Sequence, residues 1–258
     1  MYYSGQHRIT FDDKYDTWSS WHLVPSERPE VKPPPFKENY LEIGGKSGRL
    51  DASTSLTGYP LFDNREGSWE FLIMNEYESY PGWSEVYSDI LNKVHGKEMR
   101  VRLADDPNYF YKGRVKVNDH ASDKVASKIT LDYNFEPYKY YGQTVLEQYP
   151  EVFGAIPIPA DGNKHVLFED IISRGFVDSM PILPTFKTTF MDPVPEDVAT
   201  IRFVNSELGI DITQGFRHGE RESPRFVITN FSGSNTCFFE MSGNRSFDFE
   251  LNYRNGRL

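Results

Sequence analysis

Ile129, Leu131, Tyr133 and Phe135 alternate with Thr130, Asp132 and Asn134. The same period of two returns near the end of the chain, where Phe247, Phe249, Leu251 and Tyr253 alternate with Ser246, Asp248, Glu250 and Asn252. Successive side chains of a strand point to opposite faces, so each run specifies a half-buried strand of an antiparallel sheet. Strand-like segments recur at 7–11, 40–43, 68–74, 98–103 and 109–117, and again at 166–169, 183–190, 198–204, 225–231 and 236–241. Gly, Pro and Asn turns separate them, which makes the chain mainly β.

One segment breaks the pattern. Val86, Ile90, Leu91 and Val94 form an apolar face at helical spacing, Ser84 stands where an N-cap belongs, and Gly96 comes after the last turn. The spacing therefore predicts one short helix over about Ser84–Val94, laid across a sheet. Residues 137–165 carry Pro137, Pro150, Pro157, Pro159 and Asp161-Gly162, the composition of a connection between domains. This divides the chain into a first domain over 1–140, a connector over 141–165 and a second domain over 166–258. The first reads as an antiparallel, sandwich-like domain with the helix. The second, strands without helices, reads as a β-sandwich.

Composition narrows the function classes. A hydrophobic fraction of 38%, with 19 Phe and 16 Tyr, excludes a disordered chain and suits pleated surfaces. A net charge of -10 repels phosphate backbones, so specific nucleic-acid binding is not expected. The start, Met1-Tyr2-Tyr3-Ser4-Gly5-Gln6-His7-Arg8, lacks the pattern of a signal peptide, and no apolar run approaches the roughly 18 residues of a membrane span. The lone Cys237 has no disulfide partner and reads as a small buried hydrophobe in a protein kept in a reducing cytoplasm until assembly. The glycosylation patterns at Asn230 and Asn244 accordingly carry no weight.

Candidate chemistry falls away on inspection. Gly44-Gly45-Lys46-Ser47 lacks the earlier glycine of a phosphate loop, because Tyr40 stands there, and no helix pattern comes after it; it reads as a tight turn. Asp105 and Asp106 are adjacent on an extended chain and diverge, so they do not form an acid and base pair. The six histidines have no ligand spacing, and no nucleophile elbow exists. No catalytic residue, cofactor site or metal site is expected.

The stretch Pro25 to Pro35 holds five prolines and must stay extended. With Trp18 and Trp21 beside it, residues 13–40 read as an arm whose aromatics serve as interface anchors. Removing residues 17–36 is expected to leave a folded, monomeric protein. Trp69 reads as core.

Several loop signatures succeed one another in a fixed order: Gly45 to Asp51, Leu61-Phe62-Asp63-Asn64-Arg65, His95-Gly96-Lys97, Asp105 to Arg114, and Glu136-Pro137-Tyr138-Lys139-Tyr140. In order and spacing the set resembles the N-terminal domain of the distal tail (Dit) proteins of long-tailed bacteriophages, the siphophages, over roughly residues 1–140. Gly175 to Pro181, Ser232 to Asn235 and Phe247 to Tyr253 resemble the entry and the closing strands of that family's C-terminal domain. The resemblance implies a virion structural protein without enzymatic activity, a tail hub forming a hexameric ring between the tail tube and the baseplate or tail tip. It implies a galectin-like C-terminal sandwich projecting outward. The implied partners are other copies of the chain, the tail tube protein, a tail-associated tip protein and a receptor-binding protein, with DNA passing through the channel and no membrane insertion. On this footing Trp18, Trp21, Pro33, Pro34, Pro35, Arg49, Asp51, Arg65 and Arg114 are the candidate intersubunit residues. The competing reading is a carbohydrate-binding sandwich that contacts host cell-wall polysaccharide. For it the second half offers only the polar cluster Arg217 to Arg221 and no tryptophan. A tail-associated hydrolase would need converging carboxylates, and none is visible.

Overall fold

The alternating run 129–135 is the middle of a 15-residue strand, Ser127–Tyr141, in the computed structural model. The structure describes residues 6–55, 60–73, 82–122, 127–142, 151–160, 164–167, 185–206, 209–222, 226, 237–253 and 256–258. The chain divides into two units, residues 1–147 with Leu258 and residues 148–257.

In the first unit the elements are β1 (Ile9–Phe11), β2 (Tyr15–Asp16), β3 (Leu23–Pro25), β4 (Tyr40–Glu42), β5 (Arg49–Asp51), β6 (Arg65–Ile73), α1 (Trp83–Lys93), β7 (Lys97–Leu103), β8 (Tyr109–Ser122) and β9 (Ser127–Tyr141). The main sheet runs in the order β2-β1-β7-β8-β9-β6-β3, and its pairings are antiparallel. One face carries Trp69, Phe71, Val101, Val115, Ile129, Leu131, Tyr133 and Phe135, and Val86 and Ile90 of α1 with its C-cap Val94 join the same core. The opposite face is polar, as the period of two requires. Helix α1 starts one residue earlier than its sequence suggests. Gly82 is the N-cap and makes no side-chain cap bond, while the Ser84 carbonyl accepts the Ser88 hydroxyl. Asp89 ties the helix to the rest of the unit by accepting the Trp21 indole N–H at 2.7 Å, and within the helix it accepts the Lys93 ammonium at 2.7 Å. Gly96, at φ 74, ends the helical segment and turns the chain into β7.

The second unit is built from two four-stranded sheets. One contains β10 (Glu151–Ile158), β12 (Thr185–Phe190), β15 (Gly219–Glu222) and β17 (Phe247–Tyr253), in the order β10-β17-β12-β15. The other contains β11 (Lys164–Leu167), β13 (Ala199–Asn205), β14 (Ile210–Phe216) and β16 (Cys237–Gly243), in the order β11-β16-β13-β14. Phe186 of the first sheet meets Phe216 and Phe239 of the second at centroid distances of 5.3 and 5.8 Å, and both sheets feed one core. Two sheets sharing a phenylalanine-rich core make a β-sandwich.

Within 141–165, expected as a connector, most of the described residues lie in strands. Tyr141 still pairs in β9, 151–158 pair with β17, and 164–167 pair with β16. Prolines mislead here because Pro157 sits on β10, which lies at the edge of its sheet, where a missing N–H costs no ladder bond. Gly175–Pro181, Ser232–Asn235 and most of the strand expected at 225–231 lie outside the described residues.

Gly67 lies opposite Tyr133 in the β6–β9 ladder, and a Cβ there would sit 2.3 Å from the Tyr133 hydroxyl and 2.6 Å from its ring. The missing side chain lets the buried ring lie across β6. We predict that Gly67→Ala lowers the free energy of unfolding by about 2 kcal/mol, the usual cost of overpacking a core. Urea titration of the full chain checks this, and an unchanged midpoint would contradict it.

Candidate functional site

The proline stretch is a strap pinned to its own sheet. The Trp69 indole N–H donates to the Glu30 carbonyl at 2.9 Å, and the Lys32 N–H donates to the Tyr133 hydroxyl at 3.0 Å. Arg65 donates from Nη1 to the Lys32 carbonyl at 3.0 Å and from Nε to the Pro137 carbonyl at 2.7 Å, with its guanidinium 5.6 Å from the Tyr111 ring centre. An extended chain cannot satisfy its own backbone groups, so side chains of β6 and β9 do it. Burial pushes the Arg65 guanidinium below its ordinary pKa, and it pushes the Tyr111 and Tyr133 phenols above theirs.

These contacts correct the arm assignment. Residues 13–37 are integrated into their own subunit: Trp21 is only 2% exposed, Arg65 only 4%, and Thr17 and Leu23 are buried in the core. Trp21 fails as an interface anchor because its indole packs near Phe11 and Tyr15 at 6.0 Å each and its N–H is spent on Asp89. Arg65 fails because it is buried and its Nε and Nη1 donors serve the unit's own backbone. Removing 17–36 would delete part of the core, so the expectation of a folded remnant does not stand. Trp18 is half-buried with its ring at 5.4 Å from His22, Pro33 and Pro35 are exposed, and Pro34 is half-buried.

The segment that leaves the body of the unit begins one residue after the strap. Phe36 pairs with Phe62 in an isolated antiparallel bridge, their rings 5.9 Å apart, and Phe62 meets Tyr138 edge-on at 6.2 Å. Lys37 donates its N–H to the Leu61 carbonyl, Asp63 donates its N–H to the Pro35 carbonyl, and the Lys37 ammonium lies 2.9 Å from the Asp63 carboxylate. Beyond this neck β4 and β5 form a hairpin whose strand residues are all exposed. Gly45 and Gly48, at φ 79 and 85, make its turn at the place where a phosphate loop was considered. Tyr40, Leu41, Ile43 and Leu50 stay in solvent, Leu41 being 49% and Leu50 45% exposed. Arg49 faces Glu42 across the ladder at 3.5 Å, and Asp51 accepts the Ser53 N–H.

The polar face of the main sheet is self-paired. One cross-strand row runs Glu66, Asn134, Arg114, Glu98 over β6, β9, β8 and β7. Asn134 receives an N–H from Asn64 and donates to Glu66, Arg114 lies 3.8 Å from Glu98, and Lys112 lies 3.2 and 3.3 Å from Glu98 and Glu136. Gly113 permits the close approach of β8 to β9, since a Cβ there would sit 2.1 Å from the Asn134 carbonyl. The face forms a groove of about 820 Å³ in which each acid already meets a base or an amide. Such a surface offers hydrogen bonds without a dominant charge.

Of the nine candidate interface residues, Arg49 and Asp51 lie on the hairpin, Pro33 to Pro35 at its root, and Arg114 on the polar face, while Trp18, Trp21 and Arg65 belong to the strap and core. Sequence reasoning missed Tyr40, Leu41, Ile43 and Leu50. The available signal was four apolar residues crowded on either side of a Gly-rich turn with no alternation to bury them. Asp105 and Asp106 diverge as expected: Asp105 contacts His7 and Arg28, each at 2.8 Å, and Asp106 contacts Lys139 at 2.5 Å. Among the described residues no cluster of His, Cys, Asp or Glu could hold a metal ion, and no helix is long and apolar enough to cross a membrane.

No family model and no curated protein matches this chain. Among solved structures, the fold is similar to that of SPP1 Dit (gp 19.1), described as a paradigm of the hub adsorption apparatus in phages that infect Gram-positive bacteria. The TM-score is 0.54 at 12% identity, over 95% of this chain and 97% of that one. The likeness is one of fold, and it spans both units.

Two predictions separate strap from surface. Arg65→Ala leaves the Lys32 and Pro137 carbonyls unpaired and should cost about 3 kcal/mol, whereas the exposed Arg114→Ala should cost under about 1 kcal/mol; chemical denaturation of both variants decides. The second concerns acid. Hydrogen bonds from Ser53 lower the Asp51 carboxyl, those from Ser26 and Lys128 lower Glu70, and those from Arg202 lower Asp211. At Asp89 and Asp105 desolvation works upward but is outweighed by Lys93 with Trp21 and by His7 with Arg28. Folded-state values below the unfolded ones mean stability that is whole above the ordinary carboxylate range and is lost as pH falls through the depressed values. The urea midpoint should therefore fall between about pH 6 and about pH 3, and Asp89→Asn should make that fall shallower.

Proposed function

We propose that this chain is a structural distal tail protein of a long-tailed phage, a non-enzymatic hub whose six copies close into a ring at the end of the tail. The observation that carries the reading is the fold likeness to the SPP1 hub protein across both units. In this reading the first units form the ring. The second units, galectin-like sandwiches, project outward, with the tail tube protein on one side and the tip or receptor-binding proteins on the other. The chain acts in the virion after synthesis in the host cytoplasm.

A closed ring uses a head-to-tail interface, in which one patch of each subunit meets a different patch of the next. The hairpin suits this role because its neck is braced by Phe36, Phe62 and Tyr138 while its tip leaves Tyr40, Leu41, Ile43 and Leu50 in solvent. Arg49 and Asp51 lie on the same hairpin and Pro33 to Pro35 at its root, so the interface is assigned there. Exposed apolar clusters of this kind mark association surfaces. A net charge of -10 suits a channel through which DNA slides without adhering. In the Arg217 to Arg221 cluster, on which the carbohydrate-binding reading relies, part of the turn is engaged within its own unit. The Arg217 carbonyl accepts the Thr188 hydroxyl at 2.8 Å, and His218 Nδ1 lies 3.2 Å from the Phe190 nitrogen, so this turn braces β12.

The test is the oligomeric state of the purified full-length chain. Light scattering and negative-stain images should give a six-fold ring with a central hole. Leu41→Asp with Leu50→Asp should shift the mass to the monomer and leave the melting temperature within a few degrees, since both positions are exposed. A wild-type chain that stays monomeric at micromolar concentration, or a double variant that still forms rings, would sink the hairpin interface.

A further inference from the structure

Met191 is 83% exposed, far above any other large apolar side chain among the described residues, and Val194 comes three residues later at 46%. Both lie on the loop between β12 and β13. Loops with exposed apolar tips are ordinarily loose; this one is held along its length by hydrogen bonds. Asp197, 1% exposed, accepts the Val194 N–H at 2.9 Å and the Arg245 Nη1 at 3.0 Å, and its own N–H donates to the Val194 carbonyl. Arg245 also donates to the Asp192 carbonyl at 3.3 Å and to the Met191 carbonyl at 3.1 Å. Asn244 closes the far end by donating to the Glu196 carbonyl at 2.9 Å and accepting the Val198 N–H at 3.0 Å. Pro193 and Pro195 fix two further backbone angles, and Asp192 is held at φ 48, a conformation that L residues other than Gly, Asn and Asp rarely adopt.

A buried carboxylate must be paired, and here its pairing orders the loop backbone. The result is a tip whose backbone is held in place with two apolar side chains in water, so that little backbone freedom is lost on binding, which favours a preorganised contact. Its rim is acidic. Asp192 and Glu196 are exposed, whereas the Arg245 charge is matched by Asp197. Two copies of this tip would therefore repel, in a chain that already carries a net charge of -10.

We propose that residues 191–196 form a preformed docking knob for a different protein. Met191 and Val194 fill an apolar socket, and Asp192 and Glu196 meet lysine or arginine side chains on its edge. Methionine suits such a socket because its unbranched, polarisable side chain adapts to irregular walls.

The proposal rests on the tail-hub reading in one respect: the partner is sought among proteins of the same particle. Full-length chain carrying the photo-crosslinker p-benzoylphenylalanine at position 191 is assembled into particles and irradiated, and the adducts are identified by mass spectrometry. The expected result is an adduct with a virion protein other than this chain, the linked peptide lying beside Lys or Arg. Val194→Asp, or Asp192→Asn with Glu196→Lys, exposed positions at which the backbone conformation is kept, should reduce the adduct roughly tenfold. An adduct with a second copy of this chain, no adduct from particles that contain it, or an undiminished adduct in these variants would overturn the knob. Particles that lack the chain altogether would instead overturn the tail-hub reading.

Discussion

The first unit depends on the pairing of β9 with β6 on one side and β8 on the other. Because its side chains alternate from Ser127 to Phe135, this one strand supplies Ile129, Leu131, Tyr133 and Phe135 to the core and Asp132 and Asn134 to the polar face. Register here is not negotiable, since a slip of one residue would exchange the two sets. Tyr133 extends the strand's reach further. Past the bare backbone of Gly67 its ring lies 4.5 Å from Trp69 and its hydroxyl meets the Lys32 N–H, so the order of β9 is passed to a stretch with no secondary structure of its own.

The position of the strap in turn sets the position of the hairpin. With residues 30–32 held by Trp69, Tyr133 and Arg65, the chain reaches Phe36 along a set path, and the Phe36–Phe62 bridge gives the β4–β5 hairpin a defined exit. A two-stranded hairpin alone is marginal in water. This one keeps its apolar residues outside the core, and the rigidity of its neck offsets part of the entropy a binding partner would otherwise have to supply.

Strands with one buried face were legible in the sequence because the period of two is a local signal: β9, β13 and β17 fall where the alternation places them. So was the helix, whose apolar face spans three turns. The role of Arg65 was not legible, because a charged residue beside a turn signal normally faces solvent, and only the tertiary path of the prolines gives it two carbonyls to serve. Trp21 was misread for the same reason, since its burial depends on Asp89, far away in sequence. Prolines in 141–165 suggested a linker because the rule against proline in strands holds for central strands and relaxes at the edges of sheets. The hairpin tip was seen as strand and turn, but its exposure is a property of the packing around it.

The hairpin and the 191–196 loop reach the same end by opposite means, and the difference bears on what each can bind. The hairpin has four apolar side chains and backbone edges along β4 and β5, and only its neck is braced, so it can adjust its tip to a partner surface and suits a long contact repeated identically around a ring. The loop has two apolar side chains and a backbone held by Asp197, Arg245 and Asn244, so its backbone cannot follow a partner and only the Met191 side chain adjusts to the socket. Burying two such side chains contributes about 3 to 5 kcal/mol before the costs of association are subtracted. That is too little to hold a partner alone, and it makes the charged rim decisive: Asp192 and Glu196 select which protein docks, while Met191 and Val194 determine where it sits.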